Sequence, residues 1–352
     1  MPYEKTLSLQ DLSYEELSFI SQDWNFPKFR IDQVYISGMQ NKEYDEMTNI
    51  PKVLLEKLKE RFYATAVKIV QTFSSSDGTE KYLFKLNDGN IIEGVFMRHN
   101  YGNTLCVSTQ VGCRMNCSFC ASGLHGLVRN LSSGEILGQV LTVNALKGGT
   151  LKTRSITNIV LMGSGEPLDN FENVIKFLKD VSSPKGINIS LRNISLSTCG
   201  LVDKIIQLAD MDLPVTLTIS LHSADDKTRS ELMPVNKKHN IASLIEAAKY
   251  YFNKTGRRII FEYSLIHGEN CDTASALRLA NLLRGLACHV NLINLNYVKE
   301  RNMRGVKGDE IKEFMDTLTK ENISNTLRRS MGNDIEGACG QLRNKYEEEN
   351  KY

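Results

Sequence analysis

Cys113, Cys117 and Cys120 stand within eight residues of one another, in Gly-Cys-Arg-Met-Asn-Cys-Ser-Phe-Cys. Gaps of three residues and then two let one short loop wrap three thiolates around a single inorganic centre. A [4Fe–4S] cluster has four irons, so three protein thiolates leave one iron open to a reactant. The triplet is therefore a candidate reaction centre as well as a clamp. Two other readings stand beside it. Structural zinc wants four closed ligands, often as two Cys pairs, and would have to recruit a distant cysteine, Cys106 or Cys339. A disulfide with a spare thiol fits least well, because the remaining cysteines are scattered and Met1 to Gln10 shows no apolar signal-peptide core. The cluster ranks above zinc, and zinc above the disulfide.

Such a loop needs a frame. From about residue 103, apolar strand-like segments alternate with amphipathic helical ones. The pairs begin with Thr104–Thr109 and a helix over Gly134–Leu146, where Ser132 and Glu135 form a capping-box pattern. They continue through Ile156–Met162, Ile194–Thr198, Val215–Leu221, Ile259–Leu265 and Val290–Asn296 to a last helix at Asp309–Lys320. Repeated βα units predict a parallel sheet with helices outside. Six of them suggest an α/β fold with a partial (β/α)6 barrel; a doubly wound open sheet is the alternative. Residues 1–63 read as a small helical module, with helices over Ser13–Trp24, Arg30–Met39 and Pro51–Phe62, Pro51 in a first turn. Residues 64–102 read as a short antiparallel β extension, with Asp77-Gly78 and Asn87-Asp88-Gly89 as turns. The barrel is placed at 103–345 and an acidic tail at 346–352.

In parallel βα folds, ligands bind at the carboxyl ends of the strands, and polar residues recur there along this chain. The cysteine triplet follows the first strand of the set and Gly163-Ser164-Gly165-Glu166-Pro167 the second. Ser197-Thr198-Cys199-Gly200 ends the third, Ser220-Leu221-His222-Ser223 the fourth, and Asn294 and Asn296 the last. Gly163 and Gly165 would let the backbone approach a small ligand closely. Glu166 can take charge-assisted hydrogen bonds from an ammonium group. Ser197 and Asn296 can hydrogen-bond hydroxyls. A ligand with an amino-acid end and a ribose would be served by this set. S-adenosylmethionine is such a ligand; its amino and carboxylate groups can chelate an open iron, and an electron from the cluster can cleave it to a radical.

Bulk properties narrow the setting. No run of about 18 apolar residues occurs, so no membrane span is expected. A cytoplasmic, reducing compartment is expected, where free thiols survive. Net charge is +2, too small to mark a nucleic-acid binder. Residues 1–100 carry 12 Lys and Arg against 15 Asp and Glu, hence −3. Basic residues gather at Lys299, Arg301, Arg304 and Lys307, and at Arg328, Arg329, Arg343 and Lys345. These could meet phosphates or be solvated faces.

Four stretches carry a more specific likeness: Leu-Cys-Val-Ser-Thr-Gln-Val-Gly-Cys (105–113), Arg-Asn-Leu-Ser-Ser-Gly-Glu-Ile (129–136), Ser-Leu-His-Ser through Met-Pro-Val-Asn (220–236) and Asp-Ile-Glu-Gly-Ala-Cys-Gly-Gln-Leu (334–342). With the cysteine triplet they resemble the RlmN/Cfr family of radical S-adenosylmethionine RNA methyltransferases, over residues 28 to 345. The resemblance implies one [4Fe–4S] cluster on Cys113, Cys117 and Cys120. It implies two S-adenosylmethionine molecules per turnover, bound through Gly165, Glu166, Ser197, Ser220, Leu221, His222 and Asn296. It further implies that Cys339 carries the methyl group, that Cys106 resolves the enzyme–RNA thioether through a transient disulfide, and that Glu93 accepts a proton. The implied substrates are 23S rRNA (peptidyl transferase centre) and tRNA (the adenosine 3′ of the anticodon), with a reductant such as flavodoxin or ferredoxin. Glu166-Pro167-Leu168 resembles the adenine-C2 branch; C8 methylation, linked to ribosomal antibiotic resistance, is the alternative. Ser164 and Glu336-Gly337 depart from the family's usual residues. A radical enzyme acting on a peptide and a zinc-stabilised, non-catalytic RNA-binding protein are further alternatives.

Overall fold

The computed structural model describes residues 6–295 and 303–335. The expected sites Asn296 and Cys339, the basic residues Lys299, Arg301, Arg343 and Lys345, and the acidic tail lie outside the described residues.

The chain starts with three helices, α1 (Tyr14–Ile20), α2 (Lys28–Met39) and α3 (Lys52–Arg61). Ser13 and Glu16 cap the first reciprocally, as a capping box should. The expected helix to Trp24 stops early. Ser21 turns its hydroxyl back onto the Leu17 carbonyl at 2.5 Å, and Asn25 takes a left-handed φ of 56°. Pro51 sits one position before α3, in extended backbone, and not in its first turn. The module docks through buried polar contacts. Gln10 accepts the Ala66 N–H and donates to Asn41. Asp11 accepts the Gly134 N–H at 2.8 Å, inside the first turn of the next helix.

The strands β1 (Val67–Ser74), β2 (Glu80–Leu86) and β3 (Ile91–His99) form an antiparallel meander, turning at Gly78 and Gly89 with positive φ. This extension is not a separate sheet. β3 pairs antiparallel with β4 (Gly102–Cys106), and β4 opens the parallel set. β5 (Gln110–Gly112) and β6 (Leu127–Asn130) form a two-stranded hairpin whose loop carries the cysteine triplet. Then follow α4 (Ser133–Leu146), β7 (Asn158–Leu161), α5 (Phe171–Val181), β8 (Ile194–Thr198), α6 (Val202–Ala209) and β9 (Thr216–Ser220). The rest comprises α7 (Asp226–Leu232), α8 (Ile241–Thr255), β10 (Ile259–Leu265), α9 (Thr273–Leu283), β11 (Cys288–Asn294), α10 (Gly308–Lys320) and β12 (Asn325–Leu327).

The main sheet has ten strands in the order β1-β2-β3-β4-β7-β8-β9-β10-β11-β12, parallel from β4 onward. Six strands from β4 to β11 are each followed by a helix, as the sequence pattern predicts. β1 and β12 are the edges among the described residues, so the architecture is an open, partial barrel. Alternate strand residues serve two faces. Leu196, Leu217, Ile219, Phe261 and Val290 are fully buried in the apolar core. The intervening Ser197, Ser220, Glu262 and Ser264 line a cavity. These strand ends therefore bring polar groups into a cavity whose wall also holds apolar side chains such as Val95, Met97 and Met162.

Candidate active site

The cavity has a volume of about 340 Å³ and lies at the carboxyl ends of the parallel strands. All three thiols of the triplet line it, with Gly163, Gly165 and Glu166 after β7, Ser197 at the end of β8, and Ser220 and His222 at the end of β9. Leu221 is fully buried and packs in the core; its carbonyl accepts a hydrogen bond from Arg229. Cys106, at the end of β4, lines the same cavity from the opposite strand side. Its partner across the ladder is Val95 of β3, another lining residue. Glu93 lies two residues before Val95 on the same face of β3. It is buried, and its carboxylate is 3.2 Å from the ammonium of Lys81, which is fully buried too.

The glycines of the loop after β7 line the cavity and are also needed for a close fit to the chain itself. A Cβ on Gly163 would stand 2.7 Å from the Val107 carbonyl, and one on Gly165 2.6 Å from the Gln110 side chain. Gly165 also has a φ of 111°. The close approach is to the chain's own β4–β5 connection. Gly163→Ala should therefore cost about 1–3 kcal/mol through overpacking, read as a lower denaturant midpoint; an unchanged midpoint would contradict this packing.

Glu166 is buried and held by two neutral backbone N–H groups, those of Leu168 at 3.0 Å and Cys199 at 2.7 Å. Burial raises its pKa, and these hydrogen bonds oppose the rise. A ligand ammonium would complete its charge-assisted bonding. His222 adopts a left-handed φ of 55°, a region that few non-glycine residues enter but histidine tolerates better than most. Its Nδ1 accepts the Ser264 N–H at 2.9 Å, which leaves the proton on Nε2 in the neutral ring. Burial, with the Arg229 charge behind it, pulls the histidine down to about 3. The ring is thus neutral at physiological pH and packs edge-on against Phe119 of the cysteine loop.

The thiols fit a cluster by their chemistry. Burial pushes Cys113 up to about 12 and raises Cys117, with the neighbouring Cys120 charge adding to both. Such thiols become thiolates only when a strong cationic centre replaces their protons. All three cysteines of the triplet line the one cavity, and thiolate ligands are what an iron–sulfur cluster takes.

Three charged groups at this site escaped the reading of the sequence. Glu262 lines the cavity, near the Ser197 hydroxyl and the Arg328 guanidinium, each at 3.5 Å. Burial raises its pKa, against the Arg328 charge. Lys81 partners Glu93. Arg229, on α7, is fully buried beneath the rim. A lone charge inside an apolar strand, as in Ile-Ile-Phe-Glu-Tyr-Ser-Leu, was the available signal for Glu262.

Comparison with known proteins decides the family. The radical SAM superfamily profile matches residues 107–280. The chain is 48% identical over 348 residues to the "Probable dual-specificity RNA methyltransferase RlmN" of Clostridium tetani, covering 98% of each chain. The protein of the same name from Clostridium botulinum is 47% identical over 341 residues, covering 96% of this chain and 97% of that one. This chain belongs to the RlmN family. A radical SAM methyltransferase from Sphaerobacter thermophilus shares the fold of this RlmN-type enzyme. Its TM-score is 0.91 at 40% identity, over 96% of this chain and 99% of that one. The protein is thus a radical SAM RNA methyltransferase of RlmN type, and family membership implies a [4Fe–4S] cluster and S-adenosylmethionine.

With that ligand class in place, Glu166→Gln should weaken S-adenosylmethionine binding by about 10-fold or more, the cost of losing a charged hydrogen bond, with iron content unchanged. Equilibrium binding under anaerobic conditions reads the effect; wild-type affinity in the variant would contradict the role of the carboxylate.

Among the described residues, no helix is long and apolar enough to cross a membrane.

Proposed function

We propose that this RlmN-type enzyme methylates C2 of adenosine in 23S rRNA and in tRNA, carrying the methyl group on Cys339. Adenine C2 is electron-poor and does not attack a sulfonium methyl, so direct transfer is chemically unsuited. A methyl already attached to a cysteine sulfur can lose one hydrogen atom and add to the ring as a carbon radical. The cluster, when bound at Cys113, Cys117 and Cys120, supplies the electron that cleaves S-adenosylmethionine. Glu166 and Ser197 bind and orient that ligand, with Ser220, His222 and Asn296 as further contacts; one molecule charges Cys339 and a second serves the radical step.

The observation that carries this reading is the path of the chain toward Cys339. Arg328, Arg329, Ser330 and Met331 line the same cavity as the triplet and Cys106. Met331 packs in one apolar group with Cys106. Asp334 then fastens the segment to the β1–β2 turn, accepting from the Ser75 hydroxyl at 2.5 Å and the Ser76 N–H at 3.0 Å. Cys339 follows five residues later, a reach of at most about 18 Å of extended chain. That reach supports a meeting of the two cysteines. Once the ring radical has given up one electron, for which the oxidised cluster would be the acceptor, and its ring proton, the Cys106 thiolate attacks the Cys339 sulfur. The sulfur–methylene bond breaks with its electron pair going to carbon, which takes up a proton to become the methyl group, and the Cys106–Cys339 disulfide is left for an external reductant to open. Glu93, paired with Lys81 on the cavity face of β3, takes the ring proton.

The base must leave its stack to enter the cavity. The helical module at residues 1–63 offers a docking surface for the surrounding RNA. It exposes Phe19 and Phe29, with the Arg30 guanidinium 4.8 Å above the Phe29 ring, groups suited to splayed bases and phosphates. A flavodoxin or ferredoxin is the reductant, and the cytoplasm the setting. Mass spectrometry of rRNA and tRNA nucleosides from cells with and without the gene tests the reading. Gene-dependent 2-methyladenosine in both RNAs is expected; 8-methyladenosine, or no change, would overturn it.

A further inference from the structure

Arg229 is fully buried, yet all its hydrogen-bond acceptors are neutral. Its Nε donates to the Leu221 carbonyl at 3.0 Å and its Nη1 to the Asn236 side-chain oxygen at 2.7 Å. Its Nη2 donates to the Cys199 carbonyl at 2.7 Å and to the Ser220 carbonyl at 3.2 Å. One planar guanidinium thus joins the carboxyl ends of β8 and β9, the two strands that present Ser197 and Ser220 to the cavity. The Asp226 carboxylate is reached only through Asn236, whose amide donates to it at 2.8 Å.

The helix that carries Arg229 also holds the cysteine loop. The last residue of α7, Leu232, accepts the Ser118 N–H at 2.8 Å, and Ser118 lies between Cys117 and Cys120. Leu232 and Met233 pack in one apolar group with Cys117 and Phe119. A single seven-residue helix therefore fixes the cysteine loop on one side and the ends of β8 and β9 on the other.

A buried cation with neutral partners is costly unless negative charge arrives nearby. The thiolates that hold a cluster supply such charge. Reduction of the cluster adds one more negative charge, which a fixed cation in a low-dielectric interior favours. We propose that Arg229 is the fixed counter-charge of this site: it holds the β8 and β9 ends in register for S-adenosylmethionine and keeps the cluster easier to reduce. It is fully buried and is not part of the cavity lining, so it is a positioning residue. The proposal rests on the cluster reading of Cys113, Cys117 and Cys120.

The test uses full-length protein reconstituted anaerobically with iron and sulfide, titrated with dithionite and followed by electron paramagnetic resonance. Arg229→Gln should move the midpoint potential of the cluster to more negative values. Arg229→Lys keeps the charge but lacks the planar fork; it should hold the wild-type potential and weaken S-adenosylmethionine binding by about 10-fold. Should the glutamine variant not fold, Arg229→Met carries the charge test, because it keeps the length of the side chain without its charge and should also lower the potential. A wild-type potential in iron-replete Arg229→Gln or Arg229→Met overturns the counter-charge. Wild-type ligand affinity in Arg229→Lys overturns the positioning role. Wild-type protein that takes up no iron removes the cluster reading itself, whereas full iron with an unmoved potential removes the proposal alone.

Discussion

Cys339→Ala is expected to bring RNA methylation below detection while iron content and S-adenosylmethionine binding stay at wild-type levels. The substitution removes one sulfur atom, and with it the only place where this route can park the methyl group. On the proposed reading S-adenosylmethionine is held elsewhere, by Glu166, Ser197, Ser220 and the triplet, all of which line the cavity. Reductive cleavage of S-adenosylmethionine should therefore continue, uncoupled from RNA. That split separates the carrier role from a structural one, because a misfolded barrel would lose cleavage as well. Normal RNA methylation by the variant would refute the carrier.

Cys106→Ala should give the opposite phenotype, a covalent protein–RNA adduct. On the proposed route the methylene bridge between Cys339 and the base forms without help from Cys106, but its release needs a thiol to attack the Cys339 sulfur. Cys106 is the thiol proposed for that attack. It is buried at 4% exposure in the wall of the cavity, among Val95, Met97, Val160, Met162 and Met331. This apolar surround keeps stray thiols and water away from a reactive thioether. The adduct should appear as a slow-migrating band that nuclease collapses, in most of the protein after one turnover. An active variant without any adduct would remove Cys106 from the release step.

Much of the fold was legible because it rests on local patterns. The limits of β8 and β10 match their expected ranges, and the Ser132/Glu135 capping box starts α4 one residue before its expected position. The misses arise where distant side chains override the pattern. The first parallel strand was read through to Thr109, but β4 ends at Cys106. There Gln139 of α4 takes the place of a neighbouring strand, accepting the Ser108 N–H and donating to its carbonyl. The Ser108 hydroxyl meanwhile bonds the Glu93 carbonyl. No local pattern encodes a contact with a residue 31 positions away. α7 is short and was passed over, although Asp225 capping the Thr228 N–H is a visible start signal.

The candidate site divides in the same way. The triplet and the polar strand ends follow from residue type and strand position, and the structure gathers Cys113, Cys117, Cys120, Gly165, Glu166, Ser197, Ser220 and His222 around one cavity. Arg229 lay within a quoted motif, but its worth depends on burial and on four acceptors drawn from different elements. Gly163 and Gly165 were assigned to ligand approach, and they line the cavity, but a Cβ on either would also meet Val107 or Gln110. Steric fit between two loops is a property of the folded chain, and residue type alone does not distinguish it from room left for a ligand.

The central claim is that the methyl group reaches the base by way of a cysteine and loses a hydrogen on the way. Turnover with S-adenosylmethionine carrying a fully deuterated methyl group tests it most directly, by mass spectrometry of the methyladenosine produced. The carrier route predicts a product methyl with two deuterium atoms and one hydrogen, because one deuterium is abstracted before the carbon joins the ring. A product that retains all three would show direct transfer and contradict the route through Cys339.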